Sequence, residues 1–276
     1  MTLLGAAQIR ELAAALDLKP SKSLGQNFVI DSNVCTKIVR TAAVGPTDIA
    51  LEIGPGLGSL TLALLDSAAS VVAVEIDSRL AGQLPITVAN LFEHPENLTV
   101  LNQDALSIQS LPVNPTVLVA NLPYNVSVPV LLHLLEKFES LRTGVVMVQA
   151  EVADRLAAKP GTKEYGIPSV KAAWWAEVKG AGSVSRSVFW PAPNVDSKLV
   201  SFTRRQTPGD EVLRRKVFTI IDAAFAQRRK MLRSALSGLY GSSSAAEQIL
   251  NRADIDPTLR GEALEISSFC AIAAVA

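Results

Sequence analysis

The sequence contains little of what disulfide-linked, metal-bound or membrane-spanning proteins need. Its 276 residues include two cysteines, Cys35 and Cys270, and two histidines, His94 and His133. Neither pair has the spacing of a zinc site, and two distant cysteines make no disulfide framework. No apolar run approaches the roughly 18 residues that span a bilayer. We therefore expect a cytoplasmic protein with no metal and no membrane partner.

The chain also lacks net charge, because 26 basic residues balance 26 acidic ones. The distribution is nevertheless uneven. Residues 51–110 contain one basic residue, Arg79, and seven acids, whereas residues 186–233 contain eleven basic residues and four acids. Such a basic segment is typical of a phosphate-binding face, but equally of an ordinary charged helix surface.

Short β-branched runs alternate with helical patterns over the first 200 residues. This alternation predicts parallel βαβ units, in which helices cover both faces of a sheet. The predicted strands are 49–53, 70–76, 98–102, 116–120, 143–148, 177–184 and 198–203, and the predicted helices between them are 59–66, 78–90 and 128–138. Residues 189–194 are rich in turn formers. We predict an α/β domain at 1–205, with an N-terminal helix and loop, and a small helical domain at 206–276.

A glycine-rich loop, EIGPGLG at 52–58, follows the first predicted strand of this sheet. Glycines allow the backbone to approach a ligand closely. The spacing is not the G-x-G-x-x-G of dinucleotide folds, and the chain has no P-loop pattern. Three acids, Glu52, Glu75 and Asp104, lie at the ends of successive strands with only Arg79 as a basic neighbour. They are either plain polar strand ends or a site for a cationic ligand without phosphate, such as S-adenosylmethionine.

A second motif, NLPYNVS at 121–127, follows the apolar run 117–120. Alone it is as consistent with a turn as with a functional site, since asparagine and proline both favour turns.

Together these motifs resemble those of the S-adenosylmethionine-dependent methyltransferases that act on adenine, and more narrowly of the KsgA-type ribosomal RNA adenine dimethyltransferases. Further matching stretches are SLGQNF at 23–28, QAEVADRL at 149–156, GTKEYG at 161–166, PNVDS at 193–197 and FAQRRK at 225–230. The chain departs from the family at Ala150, where many relatives have lysine, and at Val29, where leucine is usual. The resemblance implies a Rossmann-like class I methyltransferase domain with a mostly parallel sheet, followed by a small all-helical domain that contacts rRNA.

The resemblance also implies roles for residues at matching positions. The cofactor-binding residues would be Asn27, Val29, Gly54, Gly56, Glu75, Ile76, Asp104, Ala105 and Asn121, with Glu75 on the ribose and Asp104 on the adenine. The catalytic residues would be Asn121, Leu122, Pro123 and Tyr124. The Asn121 side-chain oxygen and the Leu122 carbonyl would accept the protons of the target adenine amine, Pro123 would fix the loop, and Tyr124 would stack on the extruded base. Small neighbours such as Val126 or Ser127 would leave room for a first methyl group. A basic face on a helix, formed by Arg228, Arg229, Lys230 and Arg233, would bind RNA phosphates.

The activity implied by the resemblance is dimethylation of two adjacent adenines in the 3′-terminal hairpin of 16S rRNA, within the small ribosomal subunit. S-adenosylmethionine would be the methyl donor. An Erm-type methyltransferase of 23S rRNA and a subunit assembly factor with secondary catalysis stay as alternatives. A DNA adenine methyltransferase is disfavoured, because the chain has no large target-recognition region. We expect a monomer, since no heptad pattern is evident.

Overall fold

The computed structural model describes residues 3–18 and 26–276. Its helices are α1 (Ala6–Ala15), α2 (Ser32–Thr41), α3 (Ser59–Leu65), α4 (Ser78–Leu91), α5 (Ser127–Lys137), α6 (Ala150–Leu156), α7 (Ile167–Ala172), α8 (Glu211–Ala226), α9 (Leu232–Ala235), α10 (Ser237–Tyr240), α11 (Ser243–Arg252) and α12 (Ile266–Val275). Its strands are β1 (Phe28–Val29), β2 (Ile49–Ile53), β3 (Ser70–Glu75), β4 (Leu98–Asn102), β5 (Val117–Asn121), β6 (Thr143–Gln149), β7 (Ala176–Val184), β8 (Phe189–Trp190) and β9 (Ser197–Arg204).

The chain divides into two compact units. The first consists of Met1–Ala153 and Gly180–Thr203, and the second of Asp154–Lys179 and Arg204–Ala276. Seven strands form one sheet in the order β4-β3-β2-β5-β6-β9-β7. The strands from β4 to β6 run parallel, and β9 runs antiparallel to β6.

The parallel strands form because their sequences are nearly continuous apolar runs, as strands covered on both faces require. Strand β3 reads SVVAVE and β5 reads VLVAN, and residues 71–74 and 117–120 are buried. Helix α3 is buried along its whole length. The core of the first unit therefore lies where these strands meet their covering helices.

The order of the strands reverses beside β2. The chain passes from β2 to β3 and β4, and then returns to the other side of β2 as β5 and β6. In open α/β sheets, ligands bind at such a reversal, outside the carboxyl ends of the strands. At this edge β2, β3, β4 and β5 end at Ile53, Glu75, Asn102 and Asn121.

The second unit is largely helical. Helix α8 buries Val217, Ile220, Ile221 and Ala224, and α12 buries Phe269. The Phe218 ring on α8 contacts two cations, with Lys171 Nζ at 5.1 Å and the Arg214 guanidinium carbon at 5.0 Å from its centroid. No helix of residues 3–18 and 26–276 is long and apolar enough to cross a bilayer.

The prediction of a mostly parallel sheet followed by a helical region is confirmed, and strands 49–53 and 98–102 match the structure residue for residue. The division into units differs from the predicted boundary at 205, because Asp154–Lys179 groups with the C-terminal helices. The reason is packing: α7 contacts α8, and Lys171 forms an ion pair with Asp222 at 2.7 Å.

The segment 189–194, which is rich in turn formers, contains the short strand β8 at Phe189–Trp190, which pairs with β1, and residues 191–196 connect β8 to β9 without regular structure. One local prediction is wrong. The basic run was expected on a helix, but α8 ends at Ala226 and α9 begins at Leu232. Between them, the Lys230 N–H donates to the Gln227 carbonyl at 2.8 Å, which closes a turn in place of a helical bond.

Candidate active site

A cleft of about 930 Å³, including its open mouth, lies at the carboxyl edge of the parallel strands. Its walls come from all four strand ends at the reversal and from the segment before β1. The lining residues are Gln26, Asn27, Phe28, Ile53, Gly54, Gly56, Val74, Glu75, Ile76, Leu80, Gln103, Asp104, Ala105, Leu106, Asn121, Pro123, Asn125, Val126 and Val130. None of these lining residues is a lysine, arginine or histidine, so the ionisable groups of the wall are the carboxylates of Glu75 and Asp104.

The glycine loop forms the floor of the cleft. Gly54 and Gly56 have φ angles of 68° and 58°, in the left-handed region that favours glycine. A Cβ on Gly56 would lie 2.9 Å from two carbons of the Phe28 ring. The loop therefore needs glycine here for two reasons, its backbone angle and the close approach of the lining residue Phe28.

Glu75, the last residue of β3, is held by the backbone around it. Its two carboxylate oxygens accept the Gly56 N–H at 3.1 Å and the Asp77 N–H at 3.0 Å. Burial raises the pKa of Glu75, while the two backbone N–H groups oppose that rise. Each carboxylate oxygen has a second lone pair, so the bound carboxylate can still accept hydroxyl groups of a ligand.

Asp77, two residues after Glu75, binds a residue of the segment before β1 that lines the cleft. It receives two hydrogen bonds from the Arg79 guanidinium, at 3.2 and 2.9 Å, and one from Gln26 Nε2 at 3.2 Å. The bond from Arg79 holds the pKa of Asp77 below its usual value. Asp77 therefore stays ionised and anchors Gln26, a residue of the wall.

Glu52 does not line the cleft, although its position before the glycine loop placed it among the acids expected there. Its side chain is 1% exposed and accepts a hydrogen bond from the Thr61 hydroxyl at 2.6 Å. Burial raises the pKa of Glu52 to about 8. Burial also raises the pKa of the nearby Cys35 thiol to about 12, and the charge of Glu52 adds to that rise.

Asn121, at the end of β5, has an oriented side-chain amide. Its Nδ2 donates to the Asn27 carbonyl at 3.1 Å, and this bond determines which end of the amide is the oxygen. The other end, Oδ1, is buried and has no hydrogen-bond partner. A buried acceptor without a partner costs free energy unless a ligand satisfies it. In this lining residue, the unpaired oxygen indicates a ligand that brings a donor.

The rest of the NLPY motif serves the local structure. The Leu122 side chain is buried, and its N–H donates to the Met147 carbonyl at 3.1 Å. The Pro123 carbonyl accepts the Val126 N–H at 3.2 Å, which closes the turn before α5. Tyr124 is half-buried, and its hydroxyl lies 2.7 Å from Ser197 Oγ.

Comparison with known proteins identifies the family. The family model "Ribosomal RNA adenine dimethylase" matches residues 18–275. The chain is 59% identical to Ribosomal RNA small subunit methyltransferase A of Streptomyces avermitilis, with 98% of this chain and 93% of that one aligned. It is 57% identical to the protein of that name from Leifsonia xyli, with 99% of each chain aligned. This chain belongs to the ribosomal RNA adenine dimethylase family.

Solved structures of other methyltransferases share the fold of this dimethylase. A dimethyladenosine transferase from Plasmodium falciparum has a TM-score of 0.74 and 24% identity, covering 88% of this chain and 94% of its own. The 23S rRNA methyltransferase ErmE has a TM-score of 0.67 and 25% identity, covering 90% and 99%. The chain is far more similar in sequence to the small-subunit methyltransferases than to ErmE.

Most of the predicted site residues of the dimethylase meet at one cleft. Those that line it are Asn27, Gly54, Gly56, Glu75, Ile76, Asp104, Ala105, Asn121 and Pro123. Three do not. The side chains of Val29 and Leu122 are buried away from it, with Val29 O accepting the Ser59 hydroxyl at 2.7 Å, and Tyr124 lies outside the lining. Ser23, Leu24 and Gly25 of the SLGQNF stretch lie outside the described residues.

Nine further lining residues were not predicted from the sequence: Gln26, Phe28, Ile53, Val74, Leu80, Gln103, Leu106, Asn125 and Val130. All but Leu80 and Val130 stand next to a residue that was named or lie in a matching stretch. The sequence does not show which distant segments meet. Phe28 lies beside the glycine loop in a strand, β1, that pairs with the distant strand β8, where Phe28 lies opposite Trp190. Among the described residues, no group of three or more His, Cys, Asp or Glu side chains could hold a metal ion.

The four predicted RNA-binding cations lie in the second unit and fall into two classes. Arg228 donates to Glu262 at 2.8 Å and also to the Lys163 carbonyl, and Arg233 donates to Glu247 at 3.2 Å. Arg229 and Lys230 are exposed and form no ion pair with any residue that the structure describes. These two cations are therefore the better placed to neutralise phosphates.

Proposed function

We propose that this chain dimethylates the N6 amino groups of two adjacent adenines in the 3′-terminal hairpin of small-subunit rRNA. The names of its relatives point to the small subunit. The observation that carries the chemistry is the buried, unpaired Oδ1 of Asn121, because an exocyclic amine is a donor that satisfies it. The reaction takes place in the cytoplasm, where the chain acts as a monomer on the assembling subunit and not on DNA.

The cleft fits S-adenosylmethionine as the methyl donor. The lining carboxylates Glu75 and Asp104 suit a ligand with a sulfonium and an ammonium group and no phosphate. Glu75 would accept the ribose hydroxyls and Asp104 the adenine amino group, with Ile76 and Ala105 as apolar walls. Gly54, Gly56 and Asn27 would surround the methionine part. When bound, this cofactor supplies an electrophilic methyl group on a good leaving group, and no metal is needed.

The residues of the chain then have to position the amine. Its lone pair is delocalised into the ring, so the nitrogen attacks well only when its protons are held and its lone pair is aimed. Asn121 Oδ1 would accept one proton and the Leu122 carbonyl the other. After the first transfer, the amine keeps one proton. Only one of these two hydrogen bonds can therefore form during the second transfer. Val126, which lines the cleft, borders the space for the first methyl group.

The Tyr124 ring would stack on the extruded adenine, as side chains in base-modifying enzymes do. Positioning and a fixed electrostatic environment would then account for the rate without a strong general base. In the second unit, Arg229 and Lys230 would bind rRNA phosphates. RNA helices are recognised largely through their shape and backbone, which suits such unpaired surface cations.

The decisive experiment uses labelled S-adenosylmethionine and small subunits that lack the modification, with large subunits and bare DNA alongside. We expect N6-dimethyladenosine in small-subunit rRNA alone. Label in the large subunit would assign the chain to the Erm group. Tight binding without any transfer would make the chain an assembly factor, and monomethyladenosine as the sole product would contradict dimethylation.

A further inference from the structure

The stretch PNVDS at 193–197 carries part of the family resemblance, but the proposed chemistry gives it no role. It ends where β9 begins, at Ser197. Because β9 runs antiparallel to β6, its first residue lies at the edge where the parallel strands end. There Ser197 pairs with Gln149, the last residue of β6, just as Asn121 pairs with Met147 on the other side of β6. The topology thus brings a serine to the edge that carries the cleft.

This serine meets the tyrosine of the NLPY motif. Ser197 is fully buried, and its Oγ lies 2.7 Å from the Tyr124 hydroxyl, an ordinary distance for a bond between two hydroxyl groups. Burial raises the pKa of Tyr124, so the phenol stays protonated at neutral pH. Each hydroxyl is thereby the partner of the other, and breaking the pair would leave a buried polar atom unsatisfied.

The backbone around Ser197 is held as firmly as its side chain. The Asp196 carbonyl accepts the Ala150 N–H at 2.9 Å. One carboxylate oxygen of Asp196 accepts the Arg186 N–H at 3.4 Å. Ser197 is therefore anchored in a strand of the sheet, whereas Tyr124 lies in the turn between β5 and α5. A contact between a strand residue and a turn orients the residue of the turn.

We propose that Ser197 is a positioning residue, which holds the Tyr124 ring in the orientation that stacking on the target adenine requires. The inference rests on the proposed function and deepens it. The backbone fixes one end of the tyrosine side chain and Ser197 fixes the other. The ring then presents one defined face to the base. This contact also explains the tyrosine of the NLPY motif. A phenylalanine ring would stack equally well, but it has no hydroxyl group to bond to Ser197.

Three variants of the full-length chain test the proposal: Ser197→Ala, Tyr124→Phe and the double variant. All three keep an aromatic ring at position 124 and remove the hydroxyl contact. On unmodified small subunits, we expect each single variant to lower kcat about 3- to 10-fold, since a misplaced stacking face loses part of the positioning. KM for S-adenosylmethionine should not change, because neither residue lines the cleft. The double variant should be no slower than the slower single variant.

A matched control separates positioning from plain stability. Ser169 in the second unit is also buried, and its hydroxyl donates to the Arg155 carbonyl. Ser169→Ala should lower the melting temperature, as Ser197→Ala should, and leave kcat at the wild-type value. A fall in kcat that appears only at position 197 then reports orientation of the tyrosine.

Several results would overturn the proposal. These are wild-type kcat in Ser197→Ala, a loss in the double variant equal to the product of the single losses, or an equal fall in kcat in Ser169→Ala. If Ser197→Ala does not fold, Tyr124→Phe decides alone, and wild-type kcat in that variant rejects the role. A wild-type chain that methylates no adenine would reject the proposed function, and this inference with it.

Discussion

Two glutamates of the first unit, Glu75 in the wall of the cleft and Glu52 on the strand beside it, are buried, whereas two glutamates that pair with arginines in the second unit are much more exposed. Glu52 and Glu75 are 1% and 5% exposed, whereas the side chains of Glu211 and Glu247 are 48% and 40% exposed. Burial raises the pKa of both Glu52 and Glu75. In contrast, hydrogen bonds from Arg214 and Arg215 lower the pKa of Glu211 to about 2.

This difference reflects two uses of charge. Chemistry on a small ligand needs polar groups that are fixed and shielded from water, where each interaction is strong. Binding to a phosphate backbone needs exposed cations, whose contribution is electrostatic and depends on salt. The first unit meets the first need with the buried Glu75 carboxylate and an unpaired Asn121 oxygen, and the second unit presents Arg229 and Lys230 at its surface. Variants of the two units test this contrast.

Replacing Asn121 should have the largest effect. Asn121→Ala removes the buried acceptor, and we expect kcat to fall about 100-fold or more, since one well-placed polar group is worth that much in other active sites. Asn121→Asp keeps the oxygen but cannot donate to the Asn27 carbonyl. It should therefore also lose activity. Product formation from small subunits measures both variants, with Asn251→Ala on helix α11 as the control. Wild-type kcat in Asn121→Ala would contradict the role of Oδ1.

A second prediction compares one glycine from each unit. Gly56 and Gly161 both have positive φ, but a Cβ on Gly56 would meet the Phe28 ring at 2.9 Å, while a Cβ on Gly161 would meet nothing within 4 Å. Gly161→Ala should cost about 1 kcal/mol of stability from backbone strain alone. Gly56→Ala should cost about 1–3 kcal/mol and weaken S-adenosylmethionine binding at least about 10-fold.

Calorimetry and denaturant titration measure the two glycine variants. Phe28→Leu in the Gly56→Ala background should recover part of the lost stability, because it removes the ring that the new methyl group meets. Equal losses of stability in the two alanine variants would show that steric contact with Phe28 is unimportant.

The third prediction concerns the surface cations. Arg229→Ala with Lys230→Ala should weaken small-subunit binding about 10-fold and reduce the slope of log affinity against log salt by roughly 2. Arg228→Ala should change that slope less, because Arg228 already pairs with Glu262. It should instead lower the stability of the chain by up to about 1 kcal/mol. Identical salt slopes for the wild type and the double variant would rule out phosphate contacts at these two positions.

The last prediction concerns the pH dependence of stability and not activity. Burial raises the pKa of Glu52 from 4.5 to about 8, so between these values the folded chain holds a proton that the unfolded chain has released. Stability therefore falls as pH rises through this window and is flat on either side. Glu52→Gln keeps an acceptor for Thr61 and should remove the fall. Urea denaturation across that range measures it, with Glu247→Gln as the control. An unchanged slope in Glu52→Gln would reject this assignment.

Much of the site could be predicted, because its residues stand at the ends of apolar runs. Glu75, Asp104 and Asn121 follow three such runs, and parallel strands bring their carboxyl ends to one edge. Glu52 was the error, and strand geometry explains it. Successive side chains of a strand point to opposite faces, so when Ile53 lines the cleft, Glu52 faces Thr61 on the other side.

The amino-acid sequence by itself determined the family, the parallel sheet, the glycine loop and the strand-end positions of the chemical groups, because apolar periodicity and turn chemistry are local properties. The tertiary structure alone decided the contacts between distant segments. It brought Phe28 onto Gly56, paired β1 with β8, and joined Tyr124 to Ser197. Among the residues that the structure describes, Arg229 and Lys230 form no ion pair, whereas Arg228 pairs with Glu262. These contacts depend on how the whole chain packs, and no local pattern encodes which distant residue will be the partner.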